Sequence, residues 1–123
     1  MQWKGNRQDR GQQAEALARR HLEAAGLSLL ECNARAGRGE IDLIMREADT
    51  LVFVEVRARA AGAPVAAAES LSPRKCAKVR ETAQRLITAR PAWQALYCRF
   101  DVVAVTMSQG GREPRIDWLT DAF

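Results

Sequence analysis

Two acidic side chains sit where acids are costly. The runs Gly39-Glu40-Ile41-Asp42-Leu43-Ile44-Met45 and Leu51-Val52-Phe53-Val54-Glu55-Val56-Arg57 are rich in strand-forming residues and are joined by the short polar segment Glu47-Ala48-Asp49, the pattern of a β-hairpin. A turn centred on Ala48-Asp49 sets Asp42 opposite Glu55 and Glu40 opposite Arg57. Side chains alternate along a strand, so Glu40, Asp42 and Ile44 share one face and Ile41, Leu43 and Met45 the other. On the second strand Val52, Val54 and Val56 oppose the face of Phe53, Glu55 and Arg57. Directly opposed carboxylates repel, and apolar neighbours sharpen the repulsion by excluding water. A shared proton or a bound cation relieves it. Mg²⁺ takes oxygen ligands and often uses only one or two carboxylates, leaving the rest to water and phosphate. Asp42 and Glu55 supply that minimum, with Glu40 as an auxiliary acid.

Plainer readings stand beside this one. Strand carboxylates are often solvated or ion-paired, and Glu40 with Arg57 makes an ordinary cross-strand pair. Glu15 has Arg19 four residues on, the spacing of a helical ion pair. Asp101 shares a strand face with Arg99, and pairing between them accounts for it. Other chemistries find less support. Cys32, Cys76 and Cys98 are odd in number, with no C-x-x-C pair, and His21 is the only histidine, so a four-ligand zinc site lacks its residues. A Ser-His or Cys-His nucleophile would have to use His21, which lies among helix-patterned residues.

The hairpin needs a frame. Residues 1–8 are polar, with Trp3 the one apolar anchor, and are expected to be loose; 9–123 form a single domain. From Asp9, the expected N-cap, to about Ala25, apolar residues recur at helical spacing (Ala14, Leu17, Ala18, Leu22), and Gly26 stops the run. Leu27 to Asn33 predicts a strand. After the hairpin, 60–68 is an Ala/Gly/Pro loop expected to move freely. Ser72-Pro73 predicts a helix start, Ser72 as N-cap and Pro73 at the first helical position, running to about Ala89. Tyr97 to Met107 predicts a strand, Gln109-Gly110-Gly111 a turn, and Arg115 to Leu119 a last short strand. The order α-β-β-β-α-β-β implies an α/β fold with a mixed sheet of about five strands and two flanking helices.

The net charge is +4, a balance suited to a polyanionic partner though not diagnostic of one. No apolar run is long enough to span a membrane, and the first residues lack a secretory signal. A cytoplasmic protein is expected. Arg35, Arg38, Arg57, Arg59, Arg74, Lys75 and Lys78 flank the acidic hairpin in sequence, a basic rim able to hold phosphates. Aromatics are 6% of the chain and do not interleave with these residues, which argues against base stacking as the mode of recognition.

Gly39-Glu40-Ile41-Asp42-Leu43-Ile44 followed by Val52-Phe53-Val54-Glu55-Val56-Arg57-Ala58-Arg59 closely resembles the YraN-like family of uncharacterised bacterial proteins. The resemblance covers nearly the whole chain, including Gly11, Glu15 and Ala16, Asn33 and Arg35, Lys75, Arg99-Phe100-Asp101-Val102-Val103 and Asp121-Ala122-Phe123. That family in turn resembles the PD-(D/E)XK nucleases, in particular archaeal-type Holliday junction resolvases. The resemblance implies a restriction-endonuclease-like fold and Mg²⁺- or Mn²⁺-assisted hydrolysis of structured or branched DNA. Asp42 takes the motif's Asp position, Glu55 the Glu and Arg57 the Lys, while Glu15 matches the extra first-helix acid of the resolvase-like branch. Arg57 departs from the pattern: a lysine can give up its proton in a tuned site and an arginine cannot. Arg57 is left an electrostatic role, and Lys75, near the start of the second helix, is the candidate replacement amine. Two symmetric cuts further imply a homodimer. The alternative is a non-catalytic nucleic-acid-binding module with the same basic rim and a site disabled by the Lys-to-Arg change.

Overall fold

The computed structural model describes residues 3, 5–62, 71–107 and 113–123. Five strands form one mixed sheet between two helices, in the expected order. Helix α1 spans Arg7–Ala24; strands β1 (Ser28–Ala36), β2 (Gly39–Glu47) and β3 (Thr50–Arg59) follow; then come helix α2 (Pro73–Thr88), a 3-10 turn (Pro91–Trp93), β4 (Tyr97–Thr106) and β5 (Arg115–Leu119). In space the strands keep their chain order. All neighbours are antiparallel except β3 and β4, which run parallel because α2 carries the chain across the sheet between them.

Each helix covers one face. Ala14, Ala18 and Leu22 of α1 pack on Leu43, Met45, Val52, Val54, Val103 and Val105. Val79, Ala83 and Leu86 of α2 pack on Ala34, Ile41, Ile44, Leu51 and Phe53. Helix α2 approaches β2 so closely that a Cβ on Gly39 would fall 1.8 Å from Thr82 Oγ1; only glycine permits that approach.

Several boundaries move. Asp9 is not the N-cap of α1. Asn6 is, accepting from the Asp9 N–H, while the Asp9 carboxylate accepts from the Asn6 N–H, a reciprocal capping box. The helix therefore opens at Arg7, inside the segment expected to be loose. Trp3 is the anchor it was expected to be: its indole N–H donates to the Arg59 carbonyl at 2.9 Å. Ser72 caps α2 by accepting from the Lys75 N–H, with Pro73 at the first helical position. The expected loop over 60–68 falls mostly, and the turn at 109–111 wholly, outside the described residues.

The strand alternation also slips. Ile41 packs with Ile44 under α2, not with Leu43 and Met45 under α1. The slip is centred on Asp42. Across the β1–β2 ladder the recorded pairs Cys32–Leu43 and Ala34–Ile41 bracket Asn33 and Asp42, and Asn33 is left-handed at φ 51, a conformation asparagine tolerates better than most residues.

Candidate metal and phosphodiester site

The hairpin register is the expected one, closed by the two residues Ala48-Asp49: Glu47 pairs with Thr50, and so on outward to Leu43 with Val54. There the β2–β3 ladder ends. Asp42 and Glu55 are the next pair in count, but their carboxylates take the place of the ladder. The Val56 N–H donates to Asp42 Oδ2 at 2.8 Å and the Asp42 N–H to Glu55 Oε2 at 3.3 Å. Each acid thus satisfies a backbone donor left open where the strands part. The site is the notch between two separating strands.

Because alternation slips at Asp42, the two acids look toward different helices. Asp42 meets Glu15 of α1, which also accepts from Asn33 Nδ2 at 3.3 Å. Glu55 meets α2: its Oε1 lies 3.3 Å from Lys75 Nζ. Glu55 is almost wholly buried at 3% exposure. Burial, then the Asp42 charge, raise its pKa from the ordinary 4.5 to about 7, with Lys75 pulling the other way. Burial also raises Asp42, opposed by the Val56 N–H and Lys75. Glu15 rises through burial and the charge of Asp42. Three carboxyls are held against ionisation, by burial first and then by one another's charge, with Lys75 and two backbone N–H groups offsetting part of the effect.

Among the described residues no group of three or more His, Cys, Asp or Glu side chains forms a ready metal cage. The donors nonetheless suit Mg²⁺ or Mn²⁺. All are hard carboxylate oxygens, they are few, and the notch leaves coordination positions to water and phosphate. Lys75 already places one positive charge on Glu55.

The other expected site residues divide. Arg57 lies two residues beyond Glu55, half-buried, its hold on its proton loosened by burial and the neighbouring Arg59 charge. The ladder having ended, Glu40 and Arg57 are not paired strand neighbours; Glu40 instead pairs with Arg35 across β1 at 3.7 Å, where the Arg35 side chain is 78% exposed. Arg38, Arg74 and Lys78 come together with Gly37, Gly39 and Arg85 along a groove of ≈ 620 Å³ between the β1–β2 turn and α2, beginning one residue from Lys75. Arg35 and Arg59 do not line it. The alternative Glu15–Arg19 ion pair is not seen, since Arg19 pairs with Glu23. Asp101 is structural, as the plainer reading held: Arg99 clasps both its oxygens at 3.0 and 3.1 Å.

Sequence reasoning gave Asn33 no role, yet it fixes Glu15 and sits at the slip that turns Asp42. Its signal was available: asparagine is a poor strand former, and one inside a strand marks a bend.

The family model described as "Uncharacterised protein family UPF0102" matches residues 14–105. A UPF0102 protein of Pseudomonas paraeruginosa is 42% identical over 120 residues, covering 98% of this chain and 96% of its own. Another from Stutzerimonas stutzeri is 45% identical over 116 residues, covering 94% and 95%. A third, from Xanthomonas campestris pv. campestris, is 46% identical over 117 residues, covering 95% and 93%.

Proposed function

The chain belongs to the UPF0102 family, and we propose that it is a metal-dependent endonuclease acting on structured or branched DNA. The observation that carries this reading is the notch where β2 and β3 part. Asp42 and Glu55 meet there with raised pKa values, beside a lysine whose chain neighbour Arg74 lines a basic groove. Resemblance to the PD-(D/E)XK nucleases supports it, because the same two residues occupy that motif's acidic positions.

Asp42 and Glu55 would hold the cation, and Glu15, hydrogen-bonded by Asn33, stands next to Asp42 as an outer acid. Glu40, tied to Arg35, remains an auxiliary acid at the rim. Mg²⁺ or Mn²⁺, when bound, polarises the scissile phosphate and lowers the pKa of an attacking water. Lys75 is placed to stabilise charge developing on the phosphate, and Arg57 adds fixed positive charge. Arg38, Arg74 and Lys78 bind the flanking phosphates, with Arg35 and Arg59 farther out. Paired cuts would be made by a homodimer, and the protein would work in the cytoplasm. Light scattering that shows only monomer at tens of micromolar would remove the dimer.

No helix among the described residues is long and apolar enough to cross a membrane, and the three cysteines are free.

The test is cleavage of a labelled four-way DNA junction with Mg²⁺ or Mn²⁺. Wild type is expected to cut, Asp42→Asn to lose at least about a hundredfold in rate, and Arg57→Ala less. A second reading, binding without cleavage, is favoured by one observation: Lys75 already pairs with Glu55 while an arginine holds the motif's lysine position. Metal-independent, salt-sensitive junction binding by an uncleaving wild type would select it.

A further inference from the structure

A second pocket lies on the other side of β3 from the α2 groove, in the angle between the first turn of α1 and the end of that strand. Its volume is ≈ 420 Å³, within the range of ligand-sized sites. Arg7 and Arg10 form one wall, Trp3 another, and the floor is the small apolar row Val56, Ala58 and Ala60. Arg7 and Arg10 are three residues apart, so their guanidinium groups project from one side of the helix. Among the described residues neither has an ion-pair partner. The acid nearest in sequence, Asp9, is committed to the Asn6 N–H in the capping box.

The pocket adjoins the carboxylates. Its floor residue Val56 is the one whose N–H holds Asp42. Trp3 is fixed by its bond to the Arg59 carbonyl, so the wall it forms keeps one orientation.

We propose that this pocket is a second backbone-binding site, in which Arg7 and Arg10 hold two phosphates of a nucleic-acid strand while the Val56–Ala60 floor takes the sugar between them. The site rests on the nuclease reading and extends it. A strand bound along the α2 groove crosses Asp42 and Glu55 and is gripped again by α1, so the scissile phosphate is held from both sides. Arginine is suited to the role because its planar fork binds phosphate through two parallel hydrogen bonds. This grip is independent of the basic residues near the hairpin.

The experiment is fluorescence-anisotropy binding of a labelled four-way DNA junction, with Ca²⁺ in place of Mg²⁺ to prevent cleavage, across a salt series. Arg7→Ala/Arg10→Ala should weaken binding at least about tenfold and reduce the salt slope by about 2, one phosphate per arginine. Arg19→Ala/Arg20→Ala removes the same charge farther along α1 and should do neither. Gly11→Leu provides a steric test that leaves the charges in place. Gly11 lines the pocket, and a Cβ there meets nothing within 4 Å. Leucine should stabilise the helix, as glycine is a poor helix former, while filling the pocket and weakening binding. If wild type binds and both Arg7→Ala/Arg10→Ala and Gly11→Leu bind equally well, or the two arginine pairs lose equally, this site is overturned and the nuclease reading stands. Failure of the wild type to bind overturns both.

Discussion

Asp101 and Glu55 are buried acids on adjoining parts of one sheet, with Asp42 half-buried beside Glu55, and their surroundings are opposite. On β4, Asp101 lies beside Val54, the residue before Glu55. It is fully buried, and every neighbour donates to it: Arg99 through two nitrogens, Trp118 Nε1 at 2.9 Å, and the Asp121 N–H at 2.9 Å. The pairing also raises the pKa of Arg99. Around Asp42 and Glu55 other carboxylates raise the cost of ionising, relieved by one half-exposed lysine and two backbone donors. Burial alone does not mark an active site. A carboxylate with a full set of donors ties a fold together, here joining β4 to β5 and the C-terminal residues. Carboxylates set against each other hold an unmet need for positive charge, and that need can be turned to chemistry.

The largest effect that should separate the two regions is on stability. Asp101→Ala strands a mostly buried guanidinium and two N–H donors, and should cost about 3 kcal/mol or more, read as a lower urea midpoint. Asp42→Asn should cost nothing in metal-free protein and is expected to stabilise it. A comparable loss at both positions would erase the distinction.

The pH dependence gives a smaller effect of defined sign. Glu55 is raised from 4.5 to about 7, so the folded state binds its proton more tightly than the unfolded chain. Its contribution to stability is present below pH 4.5 and lost as pH rises through 7. Metal-free wild type should therefore lose stability over that window, and Glu55→Gln should remove most of the slope, making the protein more stable above pH 7 by on the order of 2 kcal/mol. Thermal melts at stepped pH check it; an unchanged slope in the variant would place the titration elsewhere.

The smallest effect sharpens the role of Lys75. Its side chain is 48% exposed, so solvent screens the bond to Glu55, and Lys75→Met should cost under about 1 kcal/mol in metal-free protein. The cost should vanish when Glu55→Gln is already present. A loss that persists there would mean that packing, not charge, was removed.

Most of this arrangement was legible from the chain. The β2–β3 register follows from a two-residue turn, and the α2 start follows from Ser72-Pro73; both depend on short-range rules. The opposed carboxylates were visible for the same reason. The slip at Asp42 was not: it coincides with a left-handed Asn33 on a different strand, and period-two reasoning assumes an unbroken pleat. The true partner of Glu40 was hidden likewise, since it requires knowing that the β2–β3 ladder stops and β1 lies alongside. Lys75 was named as a candidate for the site, but only the fold brings the start of α2 to Glu55. The Arg7–Arg10 pocket needs α1 to begin three residues earlier than an N-cap at Asp9 suggested.

Thermal unfolding of wild type and Asp42→Asn, each with and without Mn²⁺, tests most directly whether the two carboxylates bind a cation. Binding to the folded state at about a hundred times Kd adds roughly 2.7 kcal/mol, several degrees in Tm for a domain of this size. Wild type should show that shift and Asp42→Asn none, and the variant should have the higher metal-free Tm. A wild type indifferent to Mn²⁺, or a variant that shifts equally, would contradict the assignment of Asp42 and Glu55 as a cation site.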